Sequence, residues 1–382
     1  MSNLKSFLLQ SQQPIPPRSY DIVGKPKIVN NVVSDFSSND YVKISSADTT
    51  KNWVLDICFT TPKSIIEGFN TTLFYVNNNS SIKTNVKMVE YANYYNLSID
   101  MTSDGSNYNI ASDSHFLPYS LDINKTYYLR ITFDKTKYCI YFSYNGITYN
   151  LIKTFVSSQC WENNDIIFGK ALDQYSYSWH GSINMNYTYT QNLVGYTVVG
   201  SPTITDGVLI APTDKENTIK TTEALDVGDE SFEMQFCILN PTKKGVALFR
   251  VNGNNNTRCT FSSTNTFNLY PDYQTDSSVV LRALGTFWNN VINNSEQKVY
   301  LKVACLGKNS NNEYPFVFSC STDGITWQTK TVMSSLPLAT GVIMYCSSWG
   351  SYPSGSSVEY DLDLKETWIK INNKLWFNGQ EG

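Results

Sequence analysis

This chain contains an internal duplication, in which four short blocks recur in the same order about 172–179 residues apart. The clearest block reads SYNGITY at residues 143–149 and STDGITW at residues 321–327. One such match could arise by chance, but four in register indicate two tandem copies of one fold, because the period far exceeds that of solenoid repeats. The other three blocks are 22–28 (IVGKPKI) with 198–204 (VVGSPTI), 53–59 (WVLDICF) with 232–238 (FEMQFCI), and 128–131 (YLRI) with 300–303 (YLKV).

The duplication predicts a short N-terminal arm over residues 1–20, a first domain over 21–192 and a second over 193–382. Each copy is long enough to bury its own core, since domains commonly hold about 100–200 residues. The arm carries Pro14, Pro16 and Pro17, which cannot continue a helix or a central strand. We expect it to dock on a neighbouring protein; a frayed terminus is the alternative.

Local patterns indicate β-structure throughout. Apolar residues fall at every second position in residues 127–133, 139–143, 232–238 and 358–364, as in half-buried strands. The dipeptides Asn145-Gly146 and Asp323-Gly324 interrupt alternating runs and predict two-residue type I′ hairpin turns. The predicted fold class is therefore all-β: two tandem antiparallel jelly-roll β-sandwiches.

The composition excludes several classes of protein. Hydrophobic residues make up 41%, aromatic residues 14% and charged residues 16%, which argues against disorder. The net charge of −4 provides no basic surface for nucleic acid. No apolar stretch approaches the roughly 18 residues that span a membrane, and the N-terminus lacks a secretory signal, so we expect synthesis in the cytoplasm without export.

Two blocks also carry a family resemblance. The repeated S-x-[N/D]-G-I-T-[Y/W] hairpin and the closing segments YDLDL (360–364) and TWIKINNKLW (367–376) resemble strands of the concanavalin A-like, or laminin-G-like, jelly rolls. In the first copy, GSINM (181–185) is similar to the first of these closing segments. Domains of this kind are frequent in surface proteins of tailed bacteriophages, so the resemblance implies a virion protein, made in the host cytoplasm.

The most suggestive catalytic segment holds Glu359, Asp361 and Asp363, which period-two geometry places on one strand face. Some glycoside hydrolases of the fold that this chain resembles carry a similar acidic strand, where paired carboxylates act as nucleophile and general acid. Glu366, however, comes one position too late for that spacing, and residues 182–186 of the first copy contain no acid. A solvated outer sheet face accounts for the same pattern. We therefore expect no catalytic residue and no enzymatic activity.

The cysteines predict buried, reduced thiols. Cys58 and Cys237 occupy the same place in the two copies, while Cys139 aligns with Val317 and Cys320 aligns with an equivalent phenylalanine. Such exchanges are typical of small buried hydrophobes, and no C-x-x-C pair supports zinc. No cofactor is expected, although calcium is an open alternative because loop acids could supply oxygen ligands. These acids are Asp100, Asp104, Asp113, Asp272 and Asp276.

Aromatic residues before the last strand of each copy form the candidate ligand-binding set. Rings in loops at the end of a sandwich can stack on sugars while Ser and Asn supply hydrogen bonds. The alternative is that they cap the core or contact neighbouring subunits. The candidates are Tyr175, Tyr177 and Trp179 in the first copy, and Trp349 and Tyr352 in the second.

The leading hypothesis is a non-enzymatic bacteriophage virion structural protein on the particle surface, in a fibre, tail or capsid decoration. It would bind host-surface glycans or attach to neighbouring virion proteins through its N-terminal arm, without nucleic-acid or membrane partners, and a homo-oligomer is compatible with both roles. Repeated weak sites on one particle would raise avidity. The alternative is a soluble carbohydrate-binding module or a glycoside hydrolase of the concanavalin A-like fold.

Overall fold

The chain divides into two compact units, Met1–Asn192 and Leu193–Gly382. Residues 1–19, which include most of the predicted arm, lie outside the described residues. No helix in the described part has the length and apolar character needed to cross a membrane. The computed structural model describes residues 20–64, 70–77, 83–91, 94–101, 111–113, 117–118, 120–146, 149–158, 160, 165–170, 176–210, 218–239, 246–252, 258–262, 266–272, 275–284, 298–345 and 361–379.

The first domain contains two sheets, with strands numbered here in chain order. The first sheet runs β1 (Asp21–Val23), β4 (Tyr41–Ser45), β13 (Asp165–Phe168), β6 (Asn70–Asn77), β7 (Lys83–Tyr91), β8 (Tyr94–Met101) and β9 (Ala111–Asp113), with β14 (Ser176–Tyr177) parallel to β6. The second runs β12 (Asn150–Val156), β11 (Lys137–Ser143), β10 (Thr126–Phe133), β5 (Trp53–Thr60), β15 (Ser182–Asn184), β3 (Val32–Ser34) and β2 (Lys27–Val29), with β16 (Tyr189–Asn192) also paired to β5.

The second domain repeats this arrangement. One sheet runs β17 (Tyr196–Val199), β20 (Thr218–Thr221), β29 (Ile343–Tyr345), β22 (Val246–Val251), β23 (Arg258–Ser262), β24 (Thr266–Tyr270) and β25 (Leu281–Leu284). The other runs β18 (Ile204–Thr205), β19 (Val208–Leu209), β30 (Asp361–Asp363), β21 (Phe232–Leu239), β26 (Val299–Cys305), β27 (Tyr314–Ser321) and β28 (Gln328–Ser334). A 3₁₀ turn (Leu364–Glu366) leads to β31 (Trp368–Ile371), which pairs with β21 and with β32 (Lys374–Asn378).

In each domain the two sheets enclose one apolar core. Leu55 and Ile57 of β5 face side chains of the opposite sheet such as Phe74 and Phe168 within one buried cluster. The second domain has its own cluster. Two antiparallel sheets around a shared core define a β-sandwich, so the all-β tandem-sandwich prediction is confirmed.

The strand registers show that the repeat extends to individual contacts. Tyr128 lies opposite Cys58, and Tyr300 lies opposite Cys237. Each of these cysteines also donates its backbone N–H to a threonine hydroxyl. The Cys58 N–H donates to Thr188 Oγ1 at 3.1 Å, and the Cys237 N–H donates to the equivalent threonine of the second domain at 3.3 Å. The two domains therefore position equivalent residues on equivalent strands.

The hairpin between β2 and β3 and the hairpin between β11 and β12 have different turn geometries. Asn30 and Asn31, between β2 and β3, take φ of 51° and 61°, which fits a two-residue type I′ turn. At Asn145-Gly146 the hairpin is present, but the two-residue prediction was wrong, because only Gly146 has positive φ, at 71°. The Ser143 hydroxyl accepts both amide N–H groups there and holds a longer loop. The loop after β27 has the same bonds.

The predicted burial is confirmed for the cysteines compared between the two copies, whereas Cys160 is half-buried. Cys58, Cys139, Cys237 and Cys320 are all buried. Burial raises the pKa of Cys58 to about 12, because a thiolate is poorly solvated inside a core.

Candidate functional site

The predicted loop aromatics are only partly described. Tyr175, Trp349 and Tyr352 lie outside the described residues, and Tyr177 is described only as part of β14. For Trp179 the structure corrects the binding prediction, because its side chain is 0% exposed. Its ring packs edge-on against Phe59 with centroids 5.8 Å apart. Trp179 is thus a core residue, since a ring without exposed surface cannot stack on a ligand.

The acidic strand also differs from its predicted solvated face. Glu359 lies outside the described residues, whereas Asp363 is only 8% exposed. Its carboxylate accepts the Lys365 N–H at 3.0 Å and the Lys298 ammonium at 3.2 Å. Lys298 also binds Glu366. One ammonium thus holds both carboxylates around the 3₁₀ turn.

The acids considered for calcium lie in several different elements where they are described. Asp272 and Asp276 accept hydrogen bonds from Thr275 and Ser278 and close their own turns. Asp100 and Asp113 belong to strands β8 and β9 rather than to loops, and Asp104 lies outside the described residues. Across the part of the chain that the structure describes, no three His, Cys, Asp or Glu side chains are grouped to hold a metal ion.

A different aromatic cluster lies on the outer face of the second domain, on the sheet that contains β21 and β26. Gln235 lies opposite both Lys302 and Trp368, and Glu233 lies opposite Lys370. Directly opposed residues share a sheet face. Trp327, just before β28, reaches over the same face. We call Glu233, Lys302, Trp327, Trp368 and Lys370 the aromatic platform.

Lys302 organises the aromatic platform. Its ammonium lies 4.1 Å from the centroid of the Trp327 ring and 5.2 Å from that of Trp368, both within cation–π range. The same ammonium is 2.8 Å from Glu233 Oε1. Burial disfavours the charged form of Glu233, but Lys302 and Lys370 outweigh it and lower the pKa of Glu233 below its ordinary value. The platform therefore carries fixed charges between fixed rings.

The platform remains accessible. The Glu233 side chain is 32% exposed and that of Lys302 is 13% exposed, while Trp327 and Trp368 are half-buried. Tyr300 extends it at one end, with its ring edge-on to Trp327 at 6.4 Å. Indole rings offer apolar faces, and the charged groups offer hydrogen bonds at the same surface. Such a surface suits a ligand that is apolar on one face and hydroxylated at its edges.

In the first domain, the positions equivalent to those of the aromatic platform hold different residues. There the counterpart of Lys302 is Arg130, and it lies opposite Asp56 instead of a glutamine. Arg130 Nε and Nη2 donate to the two Asp56 oxygens at 2.7 and 2.8 Å. Arg130 is 9% exposed and Asp56 is 4% exposed.

Two tyrosines close this first-domain cluster. The Tyr149 ring, in the position of Trp327, lies 4.0 Å from Arg130 Cζ. Tyr189, in the position of Trp368, donates its hydroxyl to Asp56 Oδ2 at 2.7 Å. The first domain therefore uses this face to satisfy a buried ion pair, and only the second domain presents it as an accessible surface.

Sequence reasoning missed the platform although the repeat contained its signal. Tyr149 and Trp327 end the clearest repeated block, and Arg130 and Lys302 lie in another. Strand alternation shows which residues share a face, but it does not show which outer faces remain open. Aligning the two copies for aromatic and cationic positions would have identified the cluster.

Comparisons with known proteins give neighbours of low similarity. No protein-family model and no curated protein sequence matches the chain. The mouse laminin alpha1 chain, domains LG4-5, is similar at 10% identity and a TM-score of 0.28 over 94% of this chain and 95% of that chain. The carbohydrate binding module CBM66 from Bacillus subtilis is similar at 9% identity and a TM-score of 0.28, over 46% of this chain and 96% of that chain.

The binding domain of botulinum neurotoxin DC, in complex with SialylT, is similar at 12% identity and a TM-score of 0.31, covering 90% of this chain and 93% of that chain. Similarity at this level carries no conclusion about function. The site is therefore defined by the chain's own side chains.

Proposed function

We propose that this protein is a non-enzymatic binding protein that holds glycans on the aromatic platform of its second domain. The observation that carries the proposal is the pair of half-buried indoles, Trp327 and Trp368, on either side of Lys302. Sugar rings combine an apolar C–H face with hydroxyl edges. The indole faces can pack against the C–H face, and the Glu233 carboxylate and Lys302 ammonium can form hydrogen bonds with the hydroxyl groups.

Preorganisation supports the proposal. Because Glu233 and the two rings already hold Lys302, a ligand would have to order few side chains, and binding would lose little conformational entropy. The first domain supports the choice of the second, since its equivalent cation is buried under Tyr149. A single half-buried platform would give modest affinity, which many copies on one particle would raise.

The absence of catalysis is part of the proposal. Its support is that Asp363 and Glu366 both bind Lys298, so each of these carboxylates already has a cationic partner. Incubation with the best-bound glycan should therefore release no sugar. Sugar release that is lost on Glu359→Gln or Asp363→Asn would instead support a glycoside hydrolase.

A location on a bacteriophage particle, as a fibre, tail or capsid decoration, is the remaining part of the proposal. Its support is the resemblance of the repeated hairpin and closing segments to jelly rolls frequent in such proteins. Proteomics and cryo-microscopy of purified virions from the source test it directly. Absence of the chain from the particle would leave a soluble carbohydrate-binding module as the function.

The binding test combines a glycan array with calorimetry on the best ligand. We expect Trp327→Ala and Trp368→Ala each to weaken binding at least tenfold, because each removes one stacking face. Tyr149→Ala, the matched change in the first domain, should leave the affinity within twofold. Circular dichroism checks that each variant is folded. No glycan binding, or equal losses in all three variants, would contradict the proposal.

A further inference from the structure

The first domain contains a cavity of about 390 Å³ that the aromatic platform does not involve. It is lined by Tyr20, by Met185, by residues 44–48 at and beyond the end of β4, and by residues 188–192, which comprise β16 and the residue before it. The volume is many times the roughly 30 Å³ that one water occupies in the liquid. A cavity of this size can receive several side chains.

The cavity adjoins a strand edge. β16 pairs with β5 on one side, and none of the described strands pairs with it on the other. Its counterpart in the second domain is β31, because Asn192 lies opposite Trp53 as Ile371 lies opposite Phe232. β31 has a neighbour on both sides: β21 and the C-terminal strand β32.

In the second domain, β32 completes the core. Phe377 lies opposite Ile369, is fully buried and stacks on Tyr345 with ring centroids 5.3 Å apart. β32 also contacts the chain just before β17, since the Val194 N–H donates to the Trp376 carbonyl oxygen at 2.8 Å. The strand thus fills the space between β31 and the segment that enters the domain.

The first domain has no such strand after β16, because β16 ends at Asn192 and β17 of the second domain begins at Tyr196. Comparing the strand registers of the two domains places the cavity where β32 lies in the second domain. Ile22 pairs with Val42 as Val198 pairs with Ile219, an offset of about 176 residues. By that offset the cavity-lining Tyr20 corresponds to Tyr196, next to the segment that contacts β32.

We propose that the edge of β16 with which no described strand pairs, together with its cavity, forms a strand-docking site filled by residues 3–10 of the same chain. This stretch, NLKSFLLQ, contains Leu4, Phe7 and Leu9 and no proline, so each of its N–H groups can donate to a strand ladder. Phe7 and Leu9 would share one face and enter the cavity.

Chain length and position agree with this occupant. The N-terminal segment joins the described domain at Tyr20, which itself borders the cavity. Residues 10–19 contain three prolines, and an extended proline-rich linker spans about 3 Å per residue, so ten residues reach about 30 Å. A four-residue strand such as β16 is only about 13 Å long, so the segment can fold back beside it.

The first test measures strand docking directly. A fluorescent peptide of residues 1–13 is titrated into the otherwise complete chain lacking residues 1–13. We expect saturable binding, at least tenfold weaker binding to the intact chain, whose own segment occupies the site, and loss of binding for the peptide carrying Phe7→Ser and Leu9→Ser. Failure of the wild-type peptide to bind the shortened chain would overturn the proposal.

Hydrogen exchange supplies the second test, with an internal control. Removing residues 1–13, or introducing Phe7→Ser and Leu9→Ser into the full chain, should speed amide exchange in β16 at least tenfold and leave β31 unchanged. Unchanged exchange in β16 would overturn the proposal. A dimer, detected by light scattering, that dissociates on deletion would assign the segment to a second copy and overturn the same-chain assignment.

Discussion

Replacing Asp56 with alanine should destabilise the first domain strongly. Asp56 accepts two hydrogen bonds from Arg130 at 2.7 and 2.8 Å and one from the Tyr189 hydroxyl at 2.7 Å. Removing one partner of a buried pair leaves an uncompensated charge and costs about 3–5 kcal/mol. The lost acceptor of Tyr189 moves the expected value toward the upper end of that range.

Two further variants isolate the reason for this loss. Asp56→Leu combined with Arg130→Met removes both buried charges and should cost less than about 1.5 kcal/mol, because the desolvation penalty disappears with the pair. Lys302→Met, the matched change in the second domain, removes the Lys302–Glu233 pair. Since the Glu233 side chain is 32% exposed, solvent screens that pair and the expected electrostatic loss is at most about 1 kcal/mol.

Hydrogen exchange measured by mass spectrometry at increasing urea separates the two domains, which a single bulk transition would not. Peptides from β10 report the first domain and peptides from β26 report the second. Asp56→Ala should lower the midpoint for β10 and leave that for β26 in place. A loss below about 1 kcal/mol in β10, or a double variant as unstable as the single one, would refute the buried-charge argument.

Three other predictions concern turns and thiols. Backbone N–H groups of its own loop hold the pKa of Asp323 below the ordinary 3.8. The contribution of Asp323 to stability is therefore present above pH 3.8 and is lost as the pH falls through the lower pKa of the folded state. An NMR titration midpoint at or above 3.8 would contradict this, and Asn145, the equivalent residue in the first domain, is a control that does not titrate. Iodoacetamide at pH 8 should modify the half-buried Cys160 and spare Cys58, whose pKa burial raises to about 12; peptide mapping that finds Cys58 labelled first would count against it. Gly146→Ala should cost about 1–2 kcal/mol, because φ is 71° and the new Cβ would lie 2.8 Å from a tyrosine ring; an unchanged urea midpoint for the β11 peptide would argue otherwise.

Two hairpins show how well a turn dipeptide predicts the geometry of its turn. Asn30-Asn31 takes φ values that fit type I′ geometry, because both residues tolerate positive φ. Asn145-Gly146 has equally favourable residues, yet the Ser143 hydroxyl binds the two N–H groups and stabilises a longer loop. A preference in the dipeptide was thus overridden by a side chain at the end of the preceding strand.

The duplication, the all-β class and the buried cysteines could be predicted without a structure, because block order and period-two alternation are properties of the chain and of strand geometry. Which polar faces are closed depends on the folded domains. Arg130 and Lys302 occupy equivalent positions, yet one is enclosed with Asp56 and the other stands between accessible indoles. Alternation determines which residues share a face, whereas burial depends on what distant segments bring over it. For the same reason Trp179, in a polar stretch, became a core residue.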